Sequence, residues 1–227
     1  MTFAQQVLDF HFSLPAELPV PKGIEVLYPY GEAMTQACMR DFYKKYYGEE
    51  TRRVFIFGIN PGRFGAGVTG VPFTDPIRLA EVCGIENDFP PKRELSSEFV
   101  YDIVDHYGGP AAFYAHFYIS SLSPLGFVRH GKNFNYYDQK SLERAVTPFI
   151  VDSIRRQQAF GAVREVALCL GEGKNYQFFT QLNDEYKFFD EIIPLPHPRY
   201  VMQYRRKYLD EYRARYLAAL MKGAAFL

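Results

Sequence analysis

The apolar positions of the chain are concentrated in four short continuous runs, which alternate with longer helix-like stretches. The runs cover residues 54–57, 117–119, 166–170 and 192–193. Because their apolar character is unbroken, they are typical of strands that are buried on both faces of a sheet. The stretches around them predict helices over residues 32–46, 76–83, 97–106, 141–160, 174–185 and 201–220.

This alternation of strands and helices favours a parallel sheet with helices on both faces. We therefore expect an α/β fold, a three-layer αβα sandwich around a central four-stranded parallel sheet. No internal repeat or low-complexity linker divides the chain. A single domain is expected over residues 1–227, with residues 1–50 forming a helical part that packs on the sheet. A chain of 227 residues that is 48% hydrophobic can bury a full core.

The composition disfavours several classes of protein. Cys38, Cys83 and Cys169 form no Cys-x-x-Cys pair, so we expect no disulfide, iron–sulfur cluster or cysteine-bound zinc. No run of about 18 apolar residues predicts a transmembrane helix, and no membrane partner is expected. The first ten residues lack the basic segment and long apolar core of a secretory signal. The cytoplasm is therefore the expected compartment.

The charge of the chain is balanced overall but unevenly distributed. The formal net charge is zero, yet residues 199–222 contain seven basic residues and only two acidic ones. This segment carries about +5, and the rest of the chain carries about −5. Two interpretations remain open on charge alone: a surface for an anionic partner, or a solvated helix face.

Ligands of open parallel sheets bind outside the carboxyl ends of the strands. The segments that follow the four predicted strands are therefore the candidate ligand-binding segments, and they lie at one edge of the sheet. A glycine-rich turn after the first strand presents the amide of Asn60, and the chain then returns an aromatic ring, Phe73. His197 follows the fourth strand between two prolines, which hold its backbone extended. A polar group beside an aromatic wall predicts a pocket for a small flat ligand.

The turn has a specific resemblance to a known family. Residues 58–73, Gly-Ile-Asn-Pro-Gly-Arg-Phe-Gly-Ala-Gly-Val-Thr-Gly-Val-Pro-Phe, resemble the first motif of the uracil-DNA glycosylase superfamily. Within it they most resemble the single-strand-selective monofunctional type, with agreement at every position from Thr69 to Phe73. Further along, residues 123–125, 171–174 and 195–199 resemble that type's later motifs, in the same order. The similarity spans roughly residues 27–212, and the chain is identified as a divergent bacterial member of the type.

The resemblance implies a glycosylase-like fold and hydrolysis of the N-glycosidic bond of a damaged base in DNA, without metal or cofactor. It implies two catalytic residues: Asn60 orients the attacking water, and His197 donates a hydrogen bond to the base oxygen where negative charge develops. A base cannot be cut while it is stacked in a duplex, so it must be flipped into the pocket. The base-binding residues implied are Ile59, Gly62, Phe64, Phe73 and Ser121.

The implied partner is DNA, single-stranded or double-stranded, bound by a monomer in the cytoplasm and in use at the bacterial nucleoid. The implied DNA-binding residues are glycines and basic side chains at the rim of the pocket: Lys132, Gly171, Gly173, Lys174, Arg199, Arg205, Arg206 and Lys207. The side chain that fills the gap left by the flipped base is Arg199, with Tyr200 and Met202 as alternatives.

Two departures from the family pattern bear on the substrate. Ser121 stands where the family has a side-chain amide that reads the pyrimidine edge; a hydroxyl can donate or accept, whereas an amide presents both at fixed positions. The second motif, His197-Pro198-Arg199, is two residues shorter than the usual His-Pro-Ser-Pro-Arg. Uracil, xanthine, hypoxanthine and 5-hydroxymethyluracil therefore all remain candidate bases.

Two other functions compete with the glycosylase. A binding protein could recognise damaged bases or single-stranded DNA without cutting them, but binding does not require a residue that orients water. Hydrolysis of free nucleosides conflicts with the lack of an acidic ribose-binding cluster and with the basic segment. Within that segment, tyrosines recur every four residues from Tyr204 to Tyr216, a spacing that is more typical of core packing than of base stacking.

Overall fold

Seven strands and ten α-helices follow one another in the computed structural model, which describes residues 1–227. The strands are β1 (Glu25–Leu27), β2 (Arg53–Gly58), β3 (Phe117–Ser121), β4 (Gly126–Arg129), β5 (Lys132–Phe134), β6 (Ala162–Leu170) and β7 (Glu191–Leu195). The helices are α1 (Phe3–Phe12), α2 (Ala33–Tyr46), α3 (Ala66–Thr69), α4 (Pro76–Glu81), α5 (Leu95–His106), α6 (Pro110–His116), α7 (Lys140–Gln158), α8 (Lys174–Tyr186), α9 (Pro198–Tyr204) and α10 (Leu209–Ala224). Short 3₁₀ turns cover Pro29–Gly31 and Arg206–Tyr208.

The central sheet has four strands in the order β3-β2-β6-β7, and every pairing in it is parallel. Strand β2 lies between two neighbours and all six of its residues are buried, as its unbroken apolar run predicts. The predicted α/β architecture and its four strands are therefore confirmed. This strand order also brings the carboxyl ends of β2, β3 and β7 to one edge.

Side chains of β2 alternate between two helical layers. Phe55 and Phe57 face one layer, where they lie edge-on to Phe3 of α1 at 6.1 Å and to Phe179 of α8 at 5.2 Å. Ile56 faces the other layer, where it lines a small apolar space together with residues of α5 and α10. The N-terminal helices α1 and α2 thus pack on the first face, and a core of 58 buried residues spans both faces.

A second sheet, which the sequence did not predict, lies beside the ends of the central strands. Its three strands are antiparallel in the order β1-β4-β5. The tight turn between β4 and β5 places His130 and Gly131 in the left-handed region, with φ of 50° and 67°. The strands escaped prediction because they are three or four residues long and, in β5, mostly polar.

The helix predicted over residues 201–220 is wrong as a single element. Arg205 leaves the helical region with φ −129° and ψ 17°, so that α9 and α10 are separate helices joined by a 3₁₀ turn. This break allows α9 to pack on α5 while α10 packs against β6 and β7. The tyrosines consequently do not share one face: Tyr204 is 60% exposed, whereas Tyr216 is buried edge-on against Phe99.

No helix of the structure combines the length and apolar character that crossing a membrane requires.

Candidate functional site

A cavity of about 420 Å³ opens at the carboxyl edge of the central sheet, where β2, β3 and β7 end. Its wall includes seven of the residues singled out from the sequence: Ile59, Asn60, Gly62, Phe73, Ser121, His197 and Arg199. The fold thus brings together side chains from three strand ends that are far apart in the sequence.

Asn60 follows β2, and its side chain is held in one orientation by backbone groups. Its Nδ2 donates to the carbonyl oxygens of Pro61 and Phe134, each over 3.3 Å. Its Oδ1 accepts from the backbone N–H of Tyr136 over 3.2 Å. Carbonyls only accept and N–H groups only donate, so these partners fix which end of the amide is the oxygen. Oδ1 keeps a second lone pair, which can accept a hydrogen bond from water.

The second sheet determines this orientation of Asn60. Both Phe134, which ends β5, and Tyr136, just beyond it, lie more than 70 residues from Asn60 in the sequence. The sheet also approaches the turn at Gly126, where a β-carbon would overlap the carbonyl oxygen of Pro61. Glycine at this position therefore allows the close contact that supports Asn60.

We expect Gly126→Ala to lower the free energy of unfolding by about 1–3 kcal/mol, because the added methyl group must displace the Pro61 backbone. The base-release activity proposed below should fall as well, since Pro61 also accepts a hydrogen bond from Asn60. Urea denaturation measures the first effect. Gly48→Ala is the matched control, because its β-carbon has only an ordinary contact at 3.4 Å. Equal stability of the two variants would contradict the close contact.

His197 caps the first turn of α9, and this contact determines its tautomer. Its Nδ1 accepts a hydrogen bond from the backbone N–H of Arg199 over 3.2 Å. Burial lowers the pKa of His197 to about 4, and the Arg199 guanidinium contributes to this lowering. The ring is therefore neutral at pH 7. Because Nδ1 is the acceptor, Nε2 carries the proton and serves as a hydrogen-bond donor.

Phe73 forms an aromatic wall of the cavity from a strained backbone. Its φ of 54° is left-handed, which is uncommon for a bulky residue. The turn is held by Thr69, whose Oγ1 donates to the carbonyl oxygen of Thr74 over 2.7 Å and accepts from the Val71 N–H over 3.2 Å. The ring lies against Gly58, where a β-carbon would come within 2.9 Å of it. The ring centroid is 5.9 Å from that of His197.

Ser121 is the last residue of β3 and lies directly beside Gly58 in the parallel register. It is 7% exposed and lines the cavity. The position that the family pattern assigns to a base-reading amide is therefore at the wall of this cavity, occupied by a hydroxyl.

The remaining predicted base-binding residue, Phe64, does not line the cavity. The guanidinium of Arg63 lies 4.8 Å from the centroid of its ring, and the ammonium of Lys92 lies 3.4 Å from it. The Phe64 side chain thus belongs to a cationic group beside the pocket rather than to its wall. Its role in contacting a base stays a prediction.

Of the predicted DNA-binding residues, only Arg199 lines the cavity. Gly171 and Gly173 lead into α8, and the ammonium of Lys174 lies 5.8 Å from the ring of Tyr137, which lines the cavity. Lys132 begins β5 and is exposed. The other three, Arg205, Arg206 and Lys207, are exposed beyond the end of α9.

Arg205 and Arg206 differ in their contacts with other side chains. Arg206 pairs with Glu98 over 2.9 Å, whereas the guanidinium of Arg205 lies 5.4 Å from the ring of Tyr200. Tyr200 is 40% exposed at the cavity wall, but Met202 is only 6% exposed within the core. This burial argues against Met202, and for Arg199 or Tyr200, as the side chain that fills the gap left by a flipped base.

Several residues of the wall gave no signal in the sequence. They come from the start of α5 and the residue before it, from β5 and the residues after it, and from α9: Glu94, Ser96, Asn133, Asn135, Tyr137, Gln203 and Tyr204. The α9 tyrosine, Tyr204, attracted attention only as part of a helix face that does not exist. The others lie in segments without an apolar run, so only the fold relates them to Asn60.

Comparison with known proteins agrees with this geometry. The family model of the uracil DNA glycosylase superfamily matches residues 45–221. The crystal structure of wild-type SMUG2 from Pedobacter heparinus superposes with a TM-score of 0.94 at 42% sequence identity, and the match covers 98% of each chain. The resemblance drawn from residues 58–73 is confirmed. Since the family model covers most of the chain, and a nearly full-length structural match joins it, the chain belongs to the uracil DNA glycosylase superfamily.

Proposed function

We propose that this protein is a monofunctional DNA glycosylase that hydrolyses the N-glycosidic bond of a flipped uracil or related base. One observation carries the proposal: a single cavity holds an amide oxygen fixed to accept from water and a neutral imidazole with Nε2–H as donor. Phe73 adds an aromatic wall on which a flat base stacks. Enzymes of this superfamily act on DNA, which supports DNA as the partner.

Asn60 and His197 act on the two sides of the bond that breaks: Asn60 on the sugar side and His197 on the base side. Oδ1 of Asn60 accepts a hydrogen bond from water and orients its oxygen towards C1′ of the deoxyribose. The bond between C1′ and the base nitrogen breaks, and its electron pair leaves with the base. Nε2–H of His197 donates to the base oxygen on which negative charge accumulates, an interaction that strengthens in the transition state. One such preorganised donor contributes about 10²–10³ in rate.

The composition of the wall supports a monofunctional enzyme. A glycosylase that also cleaves the DNA backbone uses an amine nucleophile, normally a desolvated lysine. None of the 18 residues that line the cavity is a lysine. Lys174, one of the predicted DNA-binding residues, does not line the cavity, and its ammonium lies 5.8 Å from the ring of Tyr137. Water is therefore the nucleophile of the proposed reaction.

The rim of the cavity supports binding of the DNA backbone. Arg199 and Tyr200 are exposed beside His197, at the start of α9, and Arg205 follows at its end. Cations at these positions neutralise phosphates and give affinity that falls with salt and is independent of sequence. Their exposure at the cavity wall supports Arg199 and Tyr200 as the side chains that fill the gap left by the flipped base.

We expect Ser121→Asn to shift the preference towards uracil, because an amide presents a donor and an acceptor at fixed positions to the pyrimidine edge. Relative rates of release of uracil, hypoxanthine, xanthine and 5-hydroxymethyluracil from otherwise identical oligonucleotides measure the shift. Ser96→Asn is the matched control, because Ser96 is another buried serine whose side chain lines the cavity wall. An unchanged profile in Ser121→Asn would show that this position does not read the base.

The proposed function is tested by incubating the protein in excess with labelled single- and double-stranded oligonucleotides that carry each of these four bases. Release of the base followed by alkali-sensitive cleavage at the abasic site is the expected result. Release of none of them would refute the glycosylase. Tight binding without release would support the alternative, a protein that recognises damaged DNA without cutting it.

A further inference from the structure

The carboxylate of Glu94 is the one acidic group in the wall of the cavity. Glu94 directly precedes α5, and its backbone N–H donates to Oδ2 of Asp75 over 3.0 Å. The side chain lies against the turn that follows Asn60. A β-carbon at Gly65 would overlap its Oε2, and one at Gly62 would lie 3.5 Å from its Oε1. The two glycines thus leave the space that the carboxylate occupies.

Within the protein, the carboxylate of Glu94 has neither a hydrogen-bond nor an ion-pair partner, in contrast to Glu98 nearby on α5, which pairs with Arg206. A half-buried charge without a partner is unfavourable and persists where function requires it. It lies against the turn that follows Asn60, the residue proposed to orient the water, and lines the same cavity.

No other group in the wall can take up a proton at neutral pH. The amide of Asn60 orients water but is not basic. Both ring nitrogens of His197 are already engaged, since Nδ1 accepts a hydrogen bond from the Arg199 N–H and Nε2 carries a proton. The remaining polar side chains of the wall are hydroxyls, amides and the Arg199 guanidinium. Hydrolysis nevertheless releases a proton from the attacking water.

We propose that Glu94 is the proton acceptor of the reaction and the anionic group that stabilises the cationic deoxyribose; this inference rests on the proposed function. As the C1′–N bond breaks, its electron pair leaves with the base and positive charge develops on the sugar, as in other glycoside hydrolyses. The water oxygen then bonds to C1′, and one of its protons passes to Glu94. Solvent protonates the base anion and takes the proton back from Glu94, which leaves free base and an abasic deoxyribose.

The electrostatic surroundings suit this role. The charged groups that face Glu94 are Asp75 at the start of α4 and Arg199 on α9, and His197 of the same cavity is neutral. Burial raises the pKa of Glu94, the Asp75 carboxylate raises it further, and the Arg199 guanidinium lowers it. A carboxylate with a raised pKa is a stronger base. Because only the ionised form accepts a proton, the rate decreases as the pH falls through this raised pKa.

The test is the pH dependence of single-turnover release of the base that the wild type frees fastest, between about pH 5 and pH 8.5. We expect Glu94→Gln to lower the rate at least about 10-fold at the upper end and to abolish the acid limb. General acid–base groups typically contribute about 10²–10⁴ in rate. The loss of rate expected here is at or below this range, because the water loses its proton late, after the bond between C1′ and the base has broken. Glu86→Gln, an exposed glutamate in the preceding loop, is the matched control and keeps the wild-type profile.

The outcomes separate the two proposals. A wild type that releases no base refutes the glycosylase itself. An active wild type with an unchanged rate and acid limb in Glu94→Gln refutes only the role of Glu94. If Glu94→Gln lowers the rate equally at every pH, Glu94 has a structural role only, and this result also overturns the inference. If Glu94→Gln does not fold, Glu94→Asp is used instead, because aspartate can still ionise. We then expect a lower rate than that of the wild type and a retained acid limb. A wild-type rate that does not change with pH would overturn the role of Glu94.

Discussion

Replacing Asn60 with alanine is expected to lower the single-turnover rate of base release at least about 10²-fold, in the range of a lost catalytic contact. The substitution removes the oxygen that accepts from water, so the nucleophile loses its alignment with C1′. Positioning contributes strongly to rate because a misplaced nucleophile rarely attacks productively. The measurement is the release of base under enzyme excess, with the affinity for the same oligonucleotide determined in parallel.

The control for Asn60 must separate catalysis from stability, since its side chain makes three hydrogen bonds to backbone groups. Asn87 provides a match: its Nδ2 donates to the carbonyl oxygens of Pro76 and Ile85 over 3.0 and 3.2 Å, away from the cavity. Asn87→Ala should destabilise the fold modestly and leave the rate unchanged. A folded Asn60→Ala variant with the wild-type rate would remove Asn60 from the mechanism.

His197→Ala is the second substitution expected to lower the rate at least about 10²-fold, because the base anion loses its donor. The pKa of His197 is lowered to about 4, so its neutral Nε2–H form persists throughout the range from pH 5 to pH 8.5. His197 therefore contributes no acid limb there, and the reduced activity of His197→Ala should keep the limb that we assign to Glu94. Single-turnover rates over this range measure both effects.

His106→Ala is the matched control for this substitution, because His106 is an exposed histidine near the end of α5 whose Nδ1 contacts only its own helix. It should retain the wild-type rate. Loss of the acid limb in His197→Ala would contradict the assignment and place the titrating group at His197 itself.

The central sheet and the two side chains proposed for the chemistry were predictable because their signals are local. An unbroken apolar run such as residues 54–57 has to be buried on both faces wherever it lies, and four such runs alternating with helices leave few arrangements. The turn at Asn60 and the Pro-His-Pro segment at His197 follow directly from their strands. Parallel strands end at the same edge, so the sequence alone indicated that these two segments meet.

Other features depend on contacts that no local pattern encodes. Whether residues 201–220 form one helix depends on what each half packs against: both α9 and α10 contact α5, but only α10 also packs against β6 and β7. The same docking buries Met202 and exposes Tyr204. Tyrosines at a spacing of four residues share one helix face only in a continuous helix, and this helix is interrupted at Arg205.

The α/β sheet, the family and the two side chains proposed for the chemistry could all be inferred from the amino-acid sequence. How Asn60 is held became clear only from the folded chain, since its partners Phe134 and Tyr136 lie at the end of β5 and just beyond it, in a sheet too short and polar to be recognised. The position of Glu94 in the cavity likewise became clear only from the folded chain. The physical reason is the same for both: hydrogen bonds and buried charges are matched across distant segments, and their partners exist only once the chain is folded.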